Sequence, residues 1–144
     1  MRKKRTKIAQ KQGKNSQNPE FRELARENRR LMYERLNDAQ KQMAVLAVNS
    51  QRLERLLRRR ERRLEELRAK AYVQVFDETD SEGRPRYPDE ERRKSEVVCR
   101  LVDNPAYRSA VNSIERIRMK LSRLKSQQDI LQTGMKQIEN FNHE

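Results

Sequence analysis

The sequence predicts an all-α protein built as a long antiparallel helical hairpin, a coiled coil, with a short irregular, strand-like tip and a kinked second arm. Three observations carry that expectation. Ala, Glu, Lys, Leu and Arg supply about half of the 144 residues, a composition typical of long helices when it is periodic. Apolar residues recur in alternating steps of four and three along two long stretches, the repeat of supercoiled helices. An acidic segment containing Gly83 and Pro85 separates those stretches. Charged residues make up 40% of the chain and hydrophobic ones 33%. That is too little apolar side chain for a thick globular core, so narrow seams must hold the helices.

Residues 1–18 read as a basic, disordered tail. Arg2, Lys3, Lys4, Arg5, Lys7, Lys11 and Lys14 lie there with no acid and almost no apolar residue, and such a segment buries too little surface to offset its ordering entropy. The first arm, 19–72, opens at Asn18-Pro19-Glu20. Asn is a favoured helix cap, Pro is tolerated at the first helical position, and Glu suits the positive end of the helix dipole. Met32, Leu36, Ala39, Met43, Leu46, Ser50, Leu53, Leu57, Arg60, Leu64, Leu67 and Ala71 then mark the seam, and only Ser50 and Arg60 are polar. Arg60 is expected to carry its charged head out of that seam. A helix lying on a globular core would show a wider apolar stripe.

Residues 73–88 form the acidic turn. Tyr72-Val73-Gln74-Val75-Phe76 alternates and is rich in β-branched and aromatic side chains, which predicts a short strand. Glu78, Asp80, Glu82, Gly83 and Asp89 imitate a calcium-binding loop. Glu in the first position and Pro85 within the loop fit that pattern badly, and no metal or cofactor is expected. A joint helix follows over 89–103, acidic in its first turn, with Val97, Val98, Leu101 and Val102 on one side. Asp103-Asn104-Pro105 repeats the first cap. The second arm, 104–141, carries Tyr107, Ala110, Ile114, Ile117, Leu121, Leu124, Gln128, Leu131, Met135 and Ile138 on its seam. That register does not extend back through Pro105, because Arg100 and Asp103 would then fall on the seam, so a kink is expected there. Ser50 and Gln128 fall in the same or neighbouring layers when the tip folds the arms back, and polar seam residues fix register. An open chain that pairs with a second copy remains the alternative, and a hairpin that dimerises is compatible with both.

Several classes of function are excluded by composition. One cysteine, Cys99, and one histidine, His143, leave no disulfide framework, no Cys-based zinc site and no His cluster. No apolar run approaches the length of a membrane span, and Met1-Arg2-Lys3-Lys4-Arg5 lacks the apolar stretch of a signal peptide. A cytoplasmic, nucleic-acid- or nucleoid-associated setting follows as the expectation. No phosphate-binding glycine loop or nucleophile motif is present, and a two-helix rod offers no concave pocket. A non-enzyme is therefore expected, with no small-molecule substrate and no membrane partner.

The net charge of +13 points instead to polyanions. One candidate is the tail, through Arg2, Lys3, Lys4, Arg5 and Lys7. The same run also reads as a targeting signal or a solubilising tail. A second candidate is the first arm, through Arg55, Arg58, Arg59, Arg62 and Arg63. From Arg52 to Lys70 there are nine basic residues against four acids. Arginine outnumbers lysine 24 to 11, and its planar fork suits phosphate oxygens. Against this stands a plainer account, in which charges flank a coiled-coil seam and Glu61, Glu65 and Glu66 pair with arginines one turn away. The seven aromatic residues show no spacing expected to build a stacking platform. Helix-turn-helix, zinc-finger and RRM signatures are absent. Binding is therefore expected through backbone charge, without sequence specificity, to DNA or RNA. The rival expectation is a coiled-coil adaptor or assembly protein, docking on a protein partner or a second copy through Phe76, Val97, Val98, Leu101 and Val102.

Phe76, Tyr87-Pro88, Glu91-Arg92, Leu101, Asn104 and Tyr107, followed by a heptad arm, resemble small coiled-coil proteins of phages and other mobile bacterial elements. The resemblance implies a helical hairpin from bacteria or their phages. It assigns neither a function nor a site residue.

Overall fold

A computed structural model describes residues 18–141. Among them three helices follow one another: α1 (Pro19–Asp77), α2 (Glu90–Asp103) and α3 (Pro105–Phe141). The tail candidates Arg2, Lys3, Lys4, Arg5 and Lys7 lie outside the described residues. Among the described residues no helix is long and apolar enough to cross a membrane.

The start of α1 is set by Asn18, whose side-chain oxygen accepts from the Glu20 amide at 3.1 Å. Its end corrects the sequence reading. Tyr72-Val73-Gln74-Val75-Phe76 is not a strand but the last turns of α1, which runs on past 72 to Asp77. Val75 explains why. It lies one helical turn beyond Ala71 and two beyond Leu67, and all three are buried, Val75 to 1% exposure. Burial of that helical row outweighs the local preference of Val and aromatic side chains for extended backbone. The sole extended pairing among the described residues is an isolated antiparallel bridge between Thr79 and Pro85.

The connection from α1 to α2 is a tight turn organised by Asp80. Its carboxylate accepts from the amides of Glu82 and Arg84, both at 2.9 Å, and Gly83 takes a φ of +77°, a conformation that other residues adopt only with strain. Two arginines of α2 hold this turn down. Arg93 donates to the carbonyls of Tyr87 (2.7 Å) and Pro88 (2.8 Å), and Arg100 donates to Glu78 (2.5 Å) and Glu96 (2.8 Å). Asp89 caps α2 through the Arg92 amide at 2.9 Å. Asn104, in extended conformation, ends α2 and caps α3 by accepting from the Ala106 amide at 2.9 Å.

The chain forms two compact units, Leu46–Gln127 and Met1–Val45 with Gln128–Glu144. In the first, Ala71, Val75, Val97 and Leu101 make a core, with Tyr87 and Tyr107 packed against it. Leu67, Ala110, Ile114 and Ile117 are also buried. In the second, no described residue is buried, and the least exposed include Met32, Leu36, Met43, Leu131, Met135 and Ile138. Every expected seam position of α1 is shielded at least in part, except Arg60, which is exposed.

Candidate nucleic-acid interface

Half-buried Leu53, Leu57 and Leu64 mark the inner side of α1 in the Leu46–Gln127 unit. Successive residues turn about 100° around a helix axis. Arg55 and Arg62 therefore lie nearly opposite those leucines, with Arg58 to one side and Arg52 and Arg59 to the other. All five are exposed, and none has an ion pair among the described residues. They occupy roughly 15 Å of helix.

The arginines nearer the inner side behave differently. Arg63 pairs with Glu66 at 3.3 Å. Arg68 pairs with Glu65 at 2.7 Å and donates to the Tyr107 hydroxyl at 3.4 Å. The Tyr107 hydroxyl, and after it Glu65, hold that guanidinium above its ordinary pKa. Arg118 of α3 reaches Glu61 of α1 at 3.1 Å. Arg63, Arg68 and Arg118 are thus held in pairs, as the plainer account of the basic stretch requires, whereas the outward five, and Arg60 at the seam, are not. Of the flank candidates, Arg55, Arg58, Arg59 and Arg62 lie together on the outer face, and Arg63 is tied to a carboxylate. Arg52 joins the outer group, and sequence reasoning left it out of the site. Its signal is the spacing 52, 55, 59, 62, which repeats steps of three and four on the polar side of the helix.

Five like charges held this close repel one another, by roughly 0.5 kcal/mol for a pair about 8 Å apart in water. The carboxylate that shares that face, Glu66, pairs with Arg63 and with none of the five. A polyanion would relieve their repulsion.

Further along the same face, toward the end of α1, lie Ala69, Tyr72, Val73 and Phe76. Here the structure brings two aromatic side chains together. The rings of Tyr72 and Phe76 stack with centroids 6.4 Å apart and planes 23° from parallel. Both remain accessible, at 39% and 53% exposure. On an extended stretch residues four apart are separated by about 13 Å. On a helix they are neighbours. The Arg93 guanidinium sits 4.7 Å from the Phe76 ring centroid.

The protein-contact candidates are divided. Val97 and Leu101 are part of the core. Val98 and Val102 are more than half exposed, and they line a groove of about 700 Å³ with Ala69, Tyr72, Val73 and Tyr107. The acids of the tip that imitate a calcium loop are engaged within the protein: Asp80 with the turn amides, Glu78 with Arg100, and Glu82 with Arg84 at 3.1 Å.

No protein-family model, no curated protein and no solved structure matches the chain.

Proposed function

We propose that this is a non-catalytic, nucleic-acid-associated accessory protein that holds phosphate backbones on the outer face of α1, without sequence specificity. The observation that carries the reading is the group Arg52, Arg55, Arg58, Arg59 and Arg62, which is exposed, outward and without an ion pair. The basic tail supplies further positive charge to the same ligand. In this reading α1 and α3 run antiparallel as a coiled-coil hairpin that acts as a spacer. Support comes from Glu61 with Arg118 and Arg68 with Tyr107, where the higher number on α1 meets the lower number on α3. The three-four spacing of both seams supports it as well.

The test is fluorescence anisotropy of the full-length protein with single-stranded DNA, duplex DNA and RNA across a salt series. Affinity is expected to fall linearly on a log–log plot, with a slope near −0.9 per phosphate contacted on duplex. Converting Arg55, Arg58 and Arg62 to Ala is expected to weaken binding equally across sequences and to flatten the slope by about one per arginine. Converting Arg2, Lys3, Lys4 and Arg5 to Ala apportions the remainder to the tail. Unchanged affinity and slope in both variants would sink the reading. An adaptor function is the second reading, favoured by the exposure of Val98 and Val102. Absent or salt-insensitive binding to all three nucleic acids would put it first.

A further inference from the structure

Resting on the nucleic-acid reading above, we infer that the Tyr72–Phe76 pair is a stacking site for unpaired bases, so that the protein prefers nucleic acid with a single-stranded segment over closed duplex. The pair is placed against its own chemistry. Val75 between them is the most buried side chain of α1, so the helix has an inner side at this point, yet both rings keep much of their area open to water beside it, Tyr72 along the groove it shares with Val98 and Val102 of α2. Phe76 has no polar atom that gains from solvent. What it has instead is a rigid setting. Arg93 is held in place by the carbonyls of Tyr87 and Pro88, and its guanidinium lies over the Phe76 ring. An aromatic ladder backed by a fixed guanidinium presents the planar, electron-rich and cationic surfaces on which splayed-out bases stack.

Position links this platform to the arginines. Phe76 lies eighteen residues after Arg58, which is five helical turns, so the two share one azimuth about 27 Å apart. Tyr72 and Arg62 lie between them on the same side of the helix. The three acids of that stretch, Glu61, Glu65 and Glu66, are paired with Arg118, Arg68 and Arg63, and Ala69 leaves the path low. A strand whose phosphates follow the arginines is thus led to the rings with no unpaired carboxylate in its way. A closed duplex keeps its base faces stacked inside and has nothing to offer Tyr72 or Phe76 beyond its ends. Arginines alone would favour the duplex, whose phosphates are the more densely spaced.

The test compares a thymine homopolymer with a closed DNA hairpin of equal phosphate count, using the full chain. The natural chain has no tryptophan, so a Phe76→Trp variant carries a single reporter at the site. The expected result is tighter binding of the homopolymer by the wild type and quenching of the reporter by the homopolymer but not by the hairpin. A Tyr72→Ala/Phe76→Ala variant is expected to lose about 5- to 150-fold in homopolymer affinity, for one stacked base. Its hairpin affinity and salt slope should stay unchanged. Equal affinity of the wild type for both probes, or a reporter that neither probe quenches, overturns the stacking site and leaves the arginine face standing. No salt-dependent binding of either probe overturns the nucleic-acid reading itself, and the exposed rings then belong to a protein-docking surface with Val98 and Val102.

Discussion

The unit from Leu46 to Gln127 buries eight apolar side chains, whereas among its described residues the unit formed by 18–45 and 128–141 buries none. The same alternation of steps of three and four runs through both, so the repeat does not account for the difference. Position along the chain does. The eight lie at Leu67–Val75, Val97–Leu101 and Ala110–Ile117, and among them Ala71, Val75, Val97 and Leu101 form one core between α1 and α2 with Tyr87 and Tyr107 packed against it. A charge-rich chain with few apolar residues has gathered much of its core into one place, and that place carries the turn, both arginine clamps and the aromatic pair. Structural order is therefore concentrated where the candidate site ends.

Paired truncations should break that comparison most sharply. Leu101 is 5% exposed and Leu131 is half-buried. Leu101→Ala is expected to cost about 2–5 kcal/mol through lost transfer energy and an unfilled cavity. Leu131→Ala should cost well under half as much, because its surroundings are already hydrated. Urea unfolding followed by circular dichroism reads both. Equal losses would mean that the open seam contributes as much as the enclosed core.

A turn glycine and a helical glycine make a finer contrast, because Ala is expected to act with opposite sign in the two units. Gly83 has a positive φ and Gly134 is helical, and an added Cβ meets nothing within 4 Å at either. At Gly83 the effect is then pure backbone strain, and Ala should destabilise by about 1–2 kcal/mol. At Gly134 the effect is pure helix propensity, and Ala should stabilise by about 1 kcal/mol. Melting of the two variants should move in opposite directions from the wild type. Movement in the same direction would show that one of the glycines is held by something other than its backbone.

The sequence made the helical class legible because spacing is a geometric quantity: Leu36, Leu57, Leu64, Ile114 and Ile117 stand where a 3.5-residue repeat puts them, whatever their partners. Two caps were legible for the same reason, since Asn18 and Asn104 act within three residues, while Asp89, expected inside the first turn of α2, is instead its cap. What escaped depended on contacts distant in sequence. Val75 is helical because Val97 and Leu101 cover it, and nothing within 72–76 says so. The aromatic pair escaped with it, since a wrong period hides which side chains are neighbours. At the candidate site, charge was legible but its disposition was not. Arg63 and Arg52 look alike in the sequence, and only the carboxylate at Glu66 separates the paired one from the outward one.

The smallest expected effect concerns the clamp that fastens the tip. The Glu78 carboxyl is held below its ordinary pKa, first by the hydrogen bond from Arg100 and then by the charges of Arg100 and Arg86, against an opposing contribution from burial. One oxygen, Oε1, takes the Arg100 bond; the other lies 3.5 Å from Arg86 and accepts no hydrogen bond. Arg100 is shared with Glu96, so it keeps a partner when Glu78 changes. Because the folded value lies below the unfolded one of about 4.3, the stabilisation is complete above that value and is lost as pH falls through the folded one. Glu78→Gln keeps an acceptor for Arg100 and removes the titration. Its unfolding midpoint should lie below that of the wild type at neutral pH, and the gap should narrow as pH falls below about 4. The narrowing will be incomplete as a measure of acid loss, because Glu90 is likewise lowered by Lys94. Amide exchange localises the effect: protection in α2 should follow the gap, while that of residues 131–138 should not. A gap that is constant with pH would mean that Glu78 holds the tip by shape and hydrogen bonding alone, and that the contrast between the two units owes nothing to charge.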